Sequence, residues 1–262
     1  MYRLIRAPGK FRLVVPLATM LIAATGYPWP VRLQEKATAS VPSTGKEGCA
    51  VAPAQPGQTE SEAARIVENM YVNDFYGLTY EFPKSWFVNR NLIEYDLNQK
   101  KKYANPPDPK DKTAYGLWLD IQCNHLLLYV SKDPENTPSN KSRQAGIPYI
   151  HLTVSDFVFR EGIRTGKDWL NSRKEFLDGT SQVIRDPTDY VFAGQLFSRM
   201  DLKVHFPPLM SQSGRILSPS LEGYEADVVG VRNGYWIMFG MVAENPQQLE
   251  ELFKTLDSLK FK

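Results

Sequence analysis

The sequence predicts an α+β domain built on a largely antiparallel sheet with both faces covered. Three stretches predict it. Tyr224 to Val231 and Tyr235 to Val242 flank Arg232-Asn233-Gly234, and Asn-Gly is the dipeptide of a two-residue type I′ turn, whose central positions both need φ > 0. With Arg232 opposite Tyr235, the residues Tyr224, Ala226, Val228, Ile237, Phe239 and Met241 share one face. Val229, Val231, Trp236, Met238 and Val242 share the other, with Glu225 and Asp227 toward its far end. A hairpin apolar on both faces belongs in a sheet covered on both sides. Directly after it, Asn245-Pro246-Gln247-Gln248 opens a helix, with Asn245 as N-cap, Pro246 in the first turn and Gln248 closing a capping box. Leu249, Leu252, Phe253, Leu256 and Leu259 then recur at helical spacing. The third stretch is Tyr76 to Phe82, where Leu78, Tyr80 and Phe82 alternate with Thr79 and Glu81, the period of a half-buried strand.

The chain of 262 residues begins differently. Arg3, Arg6, Lys10 and Arg12 make a basic start, Leu13 to Ala24 is apolar apart from Pro16 and Thr19, and Ala24-Thr25-Gly26 offers small residues for cleavage. That arrangement is a secretory signal peptide over residues 1–26, or an N-terminal anchor where it stays uncleaved, with Tyr27 and Trp29 at the membrane interface. The apolar run falls short of the roughly 18–20 residues of a spanning helix. From Gln34 to Glu62 the chain is rich in Ala, Pro, Ser, Thr, Gly and Gln with almost no large apolar side chains, and residues 27–62 are read as a flexible linker. The domain therefore comprises residues 63–262, in an extracytoplasmic setting: periplasmic, secreted or anchored to the envelope. Residues 1–62 hold 7 Lys and Arg against 4 Asp and Glu, leaving 24 against 25 for the domain. A near-neutral domain gives no general attraction to nucleic acid, and membrane contact is confined to the N-terminal segment.

Along the domain, Ser61 to Glu68 reads as a short helical turn or lead-in. Met70 to Val72 and Tyr76 to Phe82 form a hairpin around Asn73-Asp74-Phe75, and Trp86 to Val88 follow as an anchor or short strand. Asn91 to Tyr103 favours helix, with Lys100, Lys101 and Lys102 at the end where cations suit the dipole. Asn105 to Pro109 is irregular because its prolines remove donors. Leu117 to Ile121 and His125 to Val130 are apolar runs, strand or buried, and Ser131 to Gly146 is a polar loop. Tyr149 to Phe159 is a strand, and Thr165 starts a helix that Asp178-Gly179 ends with Gly179 as left-handed cap. Val183-Ile184, Tyr190 to Ala193 and Gln195 to Val204 are strands, and Phe206 to Gly223 is a long connection.

Tyr71-Val72-Asn73, then Tyr76-Gly77-Leu78-Thr79-Tyr80-Glu81-Phe82-Pro83 and Trp86, resembles the opening of PsbP-like and DcrB-like domains. Ala193-Gly194-Gln195 to Met200-Asp201 and the ending Leu256-Asp257-Ser258-Leu259 fit the same pattern. The resemblance spans residues 63 to 262 and implies an α/β/α sandwich with an antiparallel central sheet. It also implies a non-catalytic binding or assembly factor. The departure is Lys100 to Tyr115, longer and richer in proline than that pattern.

Chemistry-bearing motifs are sparse. Cys49 and Cys123 are compatible with one disulfide or with two free thiols. Cys123-Asn124-His125 lacks the second Cys/His cluster a metal site needs, and no glycine-rich phosphate loop joins a strand to a helix, so neither metal nor cofactor is expected. Asn140-Lys141-Ser142 is a formal glycosylation sequon. Glu175, Asp178, Asp186 and Asp189 make an acidic patch of the kind solvated faces carry. His151 with Ser155 and Asp156, or the isolated His205, would supply an alternative envelope hydrolase, although no nucleophile elbow accompanies them. Trp86, Trp169 and Trp236 sit on periodic elements and are expected in the core. Tyr103, Tyr115 and Trp118 flank the Lys/Pro-rich stretch. With Lys100, Lys101 and Lys102 they are the candidate contacts for an unidentified protein or small ligand. Long polar segments of this kind, here Asn98 to Gly116, are functional or disordered.

Overall fold

Asn233 and Gly234 both adopt positive φ, at 51° and 83°, and the turn they make sets Arg232 opposite Tyr235 and Tyr224 opposite Ala243. The structure, a computed structural model, describes residues 64–133, 148–155, 163–177, 179–206, 209–210, 216–218 and 220–262. In chain order its elements begin with β1 (Ala64–Val67), β2 (Met70–Asn73), β3 (Leu78–Glu81) and β4 (Phe87–Val88). Two helices follow, α1 (Arg90–Lys102) and α2 (Lys112–Cys123), then β5 (Asn124–Ser131), β6 (Tyr149–Ser155) and α3 (Gly166–Lys174). The second half holds β7 (Ser181–Phe192), β8 (Gln195–Phe206), β9 (Leu209–Met210), β10 (Ile216–Ser218), β11 (Leu221–Arg232) and β12 (Tyr235–Ala243). It closes with α4 (Pro246–Lys254), a 3-10 turn (Thr255–Ser258) and β13 (Lys260–Phe261).

The main sheet has seven strands in the order β4-β5-β6-β12-β11-β8-β7, antiparallel at every pairing. Its two faces are covered differently. On one, Ala226, Val228, Ile237, Phe239 and Met241 join Leu152 and Val154 beneath Leu249, Leu252, Phe253 and Leu256, and beneath Tyr71, Leu78 and Tyr80 from a second sheet. That second sheet, β1-β2-β3-β13, is also antiparallel. On the opposite face Val229, Trp236 and Met238 pack with Met200 and Leu202 under Trp169 and Leu170 of α3. The expected α+β architecture, with an antiparallel central sheet covered on both sides, is the one observed. Part of one covering layer is a small sheet in place of helix. Trp169 and Trp236 are buried, and Trp86 packs against the larger core. No helix among the described residues is long and apolar enough to cross a membrane.

Local chemistry explains the element ends. Thr165 and Asp168 form a reciprocal capping box at the start of α3. Gly166 is required there, because an added Cβ would lie 2.0 Å from the Val229 carbonyl oxygen. Asn245 caps α4 by accepting from Gln248 N at 2.9 Å, but the Gln248 side chain accepts from Glu244 N, one residue before the N-cap, so the expected box is displaced by one position.

Several expectations are corrected. Residues 64–67 are strand β1, not a helical turn: they pair with Asn73 to Met70, and the added cross-strand bonds outweigh a weak local pattern. Leu117 to Ile121 lies within helix α2; a five-residue apolar run fits either element, and Asp111 decides it by capping Ala114 N at 3.0 Å. Asn98 to Gly116 is therefore the end of one helix, a short connection and the start of the next. Val183-Ile184 and Tyr190 to Ala193 belong to one strand, β7, whose register shifts between Val183 and Thr188. It is an edge strand, where Pro187 has no ladder partner to lose. Helix α3 stops at Lys174, before Asp178-Gly179, and Gly179 is not among the positive-φ glycines. The connection from Phe206 to Gly223 is shorter than expected, since β11 begins at Leu221. The leader, the linker, the Asn140 sequon, Asp156 to Phe159 and most of the Ser131 to Gly146 loop lie outside the described residues.

Candidate functional site

The candidate contact residues fall on a helical hairpin inserted between β4 and β5. Asn89 caps α1 by accepting from Leu92 N at 3.2 Å, and Lys100, Lys101 and Lys102 occupy its last turn. After the proline-bearing connection, α2 returns and Gln122 Nε2 donates to the Lys100 and Tyr103 carbonyls, at 3.1 and 3.0 Å. Those two bonds satisfy carbonyls that the end of α1 leaves open and close the hairpin.

The structure separates the candidates into three groups. Lys100 turns inward: its Nζ lies 3.3 Å from Asp96 and 2.7 Å from His125 Nδ1. An ammonium only donates, so His125 Nδ1 accepts and its proton sits on Nε2. Lys100 is thus an anchor of α1 on β5, not a lysine presented to a partner, and this corrects the expectation for that residue. Lys101 and Lys102 are exposed, with Lys102 Nζ 4.9 Å above the Tyr103 ring. Tyr115 and Trp118 stack at 5.5 Å on α2. The polar network under the hairpin continues through Asp96, which accepts from Leu126 N, and Asp120, held by Asn124 Nδ2 at 2.6 Å. Burial holds both carboxyls above their ordinary range, Asp96 against the pull of Lys100 and Asp120 up to about 7.

The hairpin buries little. No apolar side chain of α1 is fully buried, and Cys123 is the one fully buried side chain of α2, while the Asp96 and Asp120 carboxyls lie in the polar layer beneath the hairpin. Leu92, Ile93, Tyr95 and Leu97 of α1, and Leu117, Trp118, Leu119 and Ile121 of α2, are all only half-buried. Cys123 itself is 0 % exposed and disulfide-bonded. Cys49, the other cysteine of the sequence, lies outside the described residues.

The structure places the two histidines of the alternative hydrolase on different strands, His151 on β6 and His205 on β8. His151 is 3 % exposed, lies flat against Gly240, where an added Cβ would come within 2.2 Å of its ring, and stacks on Tyr149. Burial, aided by the Arg173 charge, lowers its pKa to about 3. Ser155 is four residues along the same strand, roughly 13 Å away at about 3.3 Å per residue. His205 is exposed at the end of β8, opposite Glu222. Of the acidic patch, Asp186 pairs with Lys174 at 2.5 Å and Asp189 with Lys167 at 3.8 Å, while Asp178 lies outside the described residues. Among the described residues, no three His, Cys, Asp or Glu side chains converge as a metal site.

What sequence reasoning missed is buried charge. Arg173 of α3 pairs with Glu225 at 3.0 Å and with Asp227 on the α3 face of the sheet. The signal was present: two acids at alternate positions of an otherwise apolar strand face. One arginine faces two carboxylates, so burial and their mutual repulsion push Glu225 up to about 8, and burial raises Asp227 too. A carboxyl whose folded pKa is raised contributes stability that is full below its ordinary value of 4.5 and is lost as pH rises through the folded value. His151 has the opposite sign: its contribution is full above its ordinary 6.5 and lost as pH falls toward 3. Glu225→Gln should flatten the decline in melting temperature between pH 5 and 8, and His151→Gln the decline below pH 6, each by up to about 1.4 kcal/mol per pH unit. Profiles parallel to the parent's would show that these groups do not change protonation in those windows.

No family model matches the sequence, and no curated protein matches it either. In three dimensions the chain is similar to cyanobacterial PsbP, CyanoP, from Synechocystis, at 11 % identity and a TM-score of 0.39, over 81 % of this chain and 99 % of that one. It is also similar to LpqN, involved in cell envelope biogenesis of Mycobacterium tuberculosis, at 13 % identity and a TM-score of 0.31, over 71 % of this chain and 83 % of that one.

Proposed function

We propose that this chain is an exported, non-catalytic binding or assembly module of the cell envelope that holds a protein partner against the α1–α2 hairpin. One observation carries the reading. Two helices bearing many large apolar residues bury none of them fully, and partly exposed apolar surface of that kind marks an interaction site. Tyr115 and Trp118 supply rigid aromatic area, and exposed Lys101 and Lys102 favour an acidic partner, giving association that weakens with salt. The basic and apolar leader supports export, as does the disulfide at Cys123, since such bonds persist in oxidising compartments.

The test uses the full chain in its host envelope. Removing residues 100–114 outright would also remove Lys100 and the Tyr103 carbonyl that Gln122 binds, so point substitutions separate function from folding more cleanly. Tyr115→Ser with Trp118→Ser, and Lys101→Glu with Lys102→Glu, should abolish cross-linking to partners that the parent captures outside the cytoplasm. The melting temperature of Lys101→Glu with Lys102→Glu should stay within about 2–3 °C, because both side chains are exposed and surface changes cost under about 1 kcal/mol. Unchanged capture at low and at physiological salt, or a cytoplasmic protein that retains Met1, would overturn the proposal.

A further inference from the structure

We infer that Asp120 is a proton-sensitive latch of the α1–α2 hairpin: protonated, it closes the end of α2 onto Asn124 at the start of β5, and ionised, it lets that end loosen. A count of donors carries the inference. Asp120 stands in the last turn of α2, and Asn124 opens β5 four residues later. Asn124 Nδ2 donates to the Asp120 main-chain carbonyl at 2.9 Å and to Asp120 Oδ1 at 2.6 Å, which uses both of its hydrogens. Asn124 Oδ1 is buried and takes no donor among the described residues. An amide holds its oxygen beside its nitrogen. A carboxyl that accepts from Nδ2 through one oxygen can therefore donate to Oδ1 through the other, provided that the other carries a proton. The acid completes a two-bond pair with the amide. The carboxylate leaves the amide oxygen without a donor and has a single side-chain donor for its own two oxygens.

Charge points the same way. From α1 the Lys100 ammonium faces Asp96 at 3.3 Å, and from β5 His125 Nδ1 accepts from that ammonium at 2.7 Å, so the imidazole stays neutral while the bond stands. The layer thus holds one cation against two carboxyls, and Asp96 takes it. Burial, and after it the Asp96 charge, oppose ionisation of Asp120 and raise its carboxyl from the ordinary 3.8 to about 7. The negative end of the α2 dipole acts in the same sense. A carboxyl raised in this way favours closure most below its ordinary value, and the contribution is lost as pH rises through about 7. The bearing on function rests on the reading of the hairpin as a partner surface. Tyr115 and Trp118 sit on α2, so the pH of the compartment sets how firmly that surface is held.

The experiment follows the full chain and its Asp120→Asn variant from pH 5 to 8. The substituted amide offers Asn124 the same acceptor and donor as the acid, and it does not titrate. Carbon NMR of the Asp120 carboxyl in the parent should give a midpoint of about 7. Amide-exchange protection over residues 115–123, corrected for the chemical exchange rate, should fall in the parent by up to about tenfold per pH unit between pH 5 and 7. In Asp120→Asn it should fall less than half as steeply, from the same starting level at pH 5. A carboxyl that titrates in the ordinary carboxylate range, parallel protection profiles, or a variant already less protected than the parent at pH 5 would overturn the inference. None of these readouts needs a partner, so the latch stands or fails apart from partner capture, which the Tyr115 and Trp118 substitutions test.

Discussion

Leu256→Asp should unfold the domain or lower its melting temperature by more than about 10 °C, while Lys254→Asp should shift it by no more than about 2–4 °C. Leu256 is 0 % exposed and closes the core where α4 tightens into the 3-10 turn. Removing it forfeits roughly 1.5–3 kcal/mol of burial, and an unpaired carboxylate in its place adds several kcal/mol of desolvation. At about 2–4 °C per kcal/mol for a domain of this size, the sum exceeds 10 °C. Lys254 is exposed on the same helix, where a reversed charge at the C-terminal turn costs under about 1 kcal/mol. Equal melting temperatures for the two variants, read by circular dichroism, would refute the helix phase.

The second large effect is expected at Arg199, whose side chain is 0 % exposed on the face opposite Arg173. Its Nε and Nη2 donate to Asp201 at 2.6 and 2.9 Å. Nη1 and Nη2 reach Glu250 of α4 at 3.0 and 2.8 Å. The guanidinium also lies 3.9 Å above the Phe253 ring. Arg185 completes the network, donating to Asp201, Glu250 and Tyr190. Arg199→Ala leaves Asp201 buried without two of its three guanidinium hydrogen bonds, so a loss of about 3–5 kcal/mol is expected. Arg185→Ala should cost less, because that side chain is partly solvated. Arg199→Lys should recover only part of the loss, since an ammonium cannot bind two carboxylates in the planar fork. Urea melts with an unchanged m-value would measure these losses. An Arg199→Ala midpoint equal to the parent's would show that the network does not hold α4 on the sheet.

Arg199 also shows why part of the site was not legible. Arg199 and Asp201 stand two apart on β8 and so share a face. Nothing local says that Glu250 of α4 reaches that face and pairs with the guanidinium. Lys100 failed for the same reason: the last turn of a polar helix looks solvated until β5 brings His125 beneath it. Leu117 to Ile121 failed differently, since five apolar residues satisfy a strand or a helix and only a cap eleven residues from Lys100 settles which.

What the sequence by itself determined are features with short-range causes. These are the Asn233-Gly234 turn and the register that follows from it, the caps at Thr165 and Asn245, the two faces of the terminal hairpin, and a sheet that needs covering on both sides. Backbone sterics and side-chain period act over a few residues, so a few residues suffice to read them. Only the tertiary structure decided what covers each face. It pairs β13 with β3, with Lys262 N donating to Gly77 O, places the small sheet over the larger core, and turns α1 and α2 into a hairpin with one fully buried side chain. Those outcomes depend on burial and on compensation of charge between residues far apart in the chain, and such energies exist only once the partners have met.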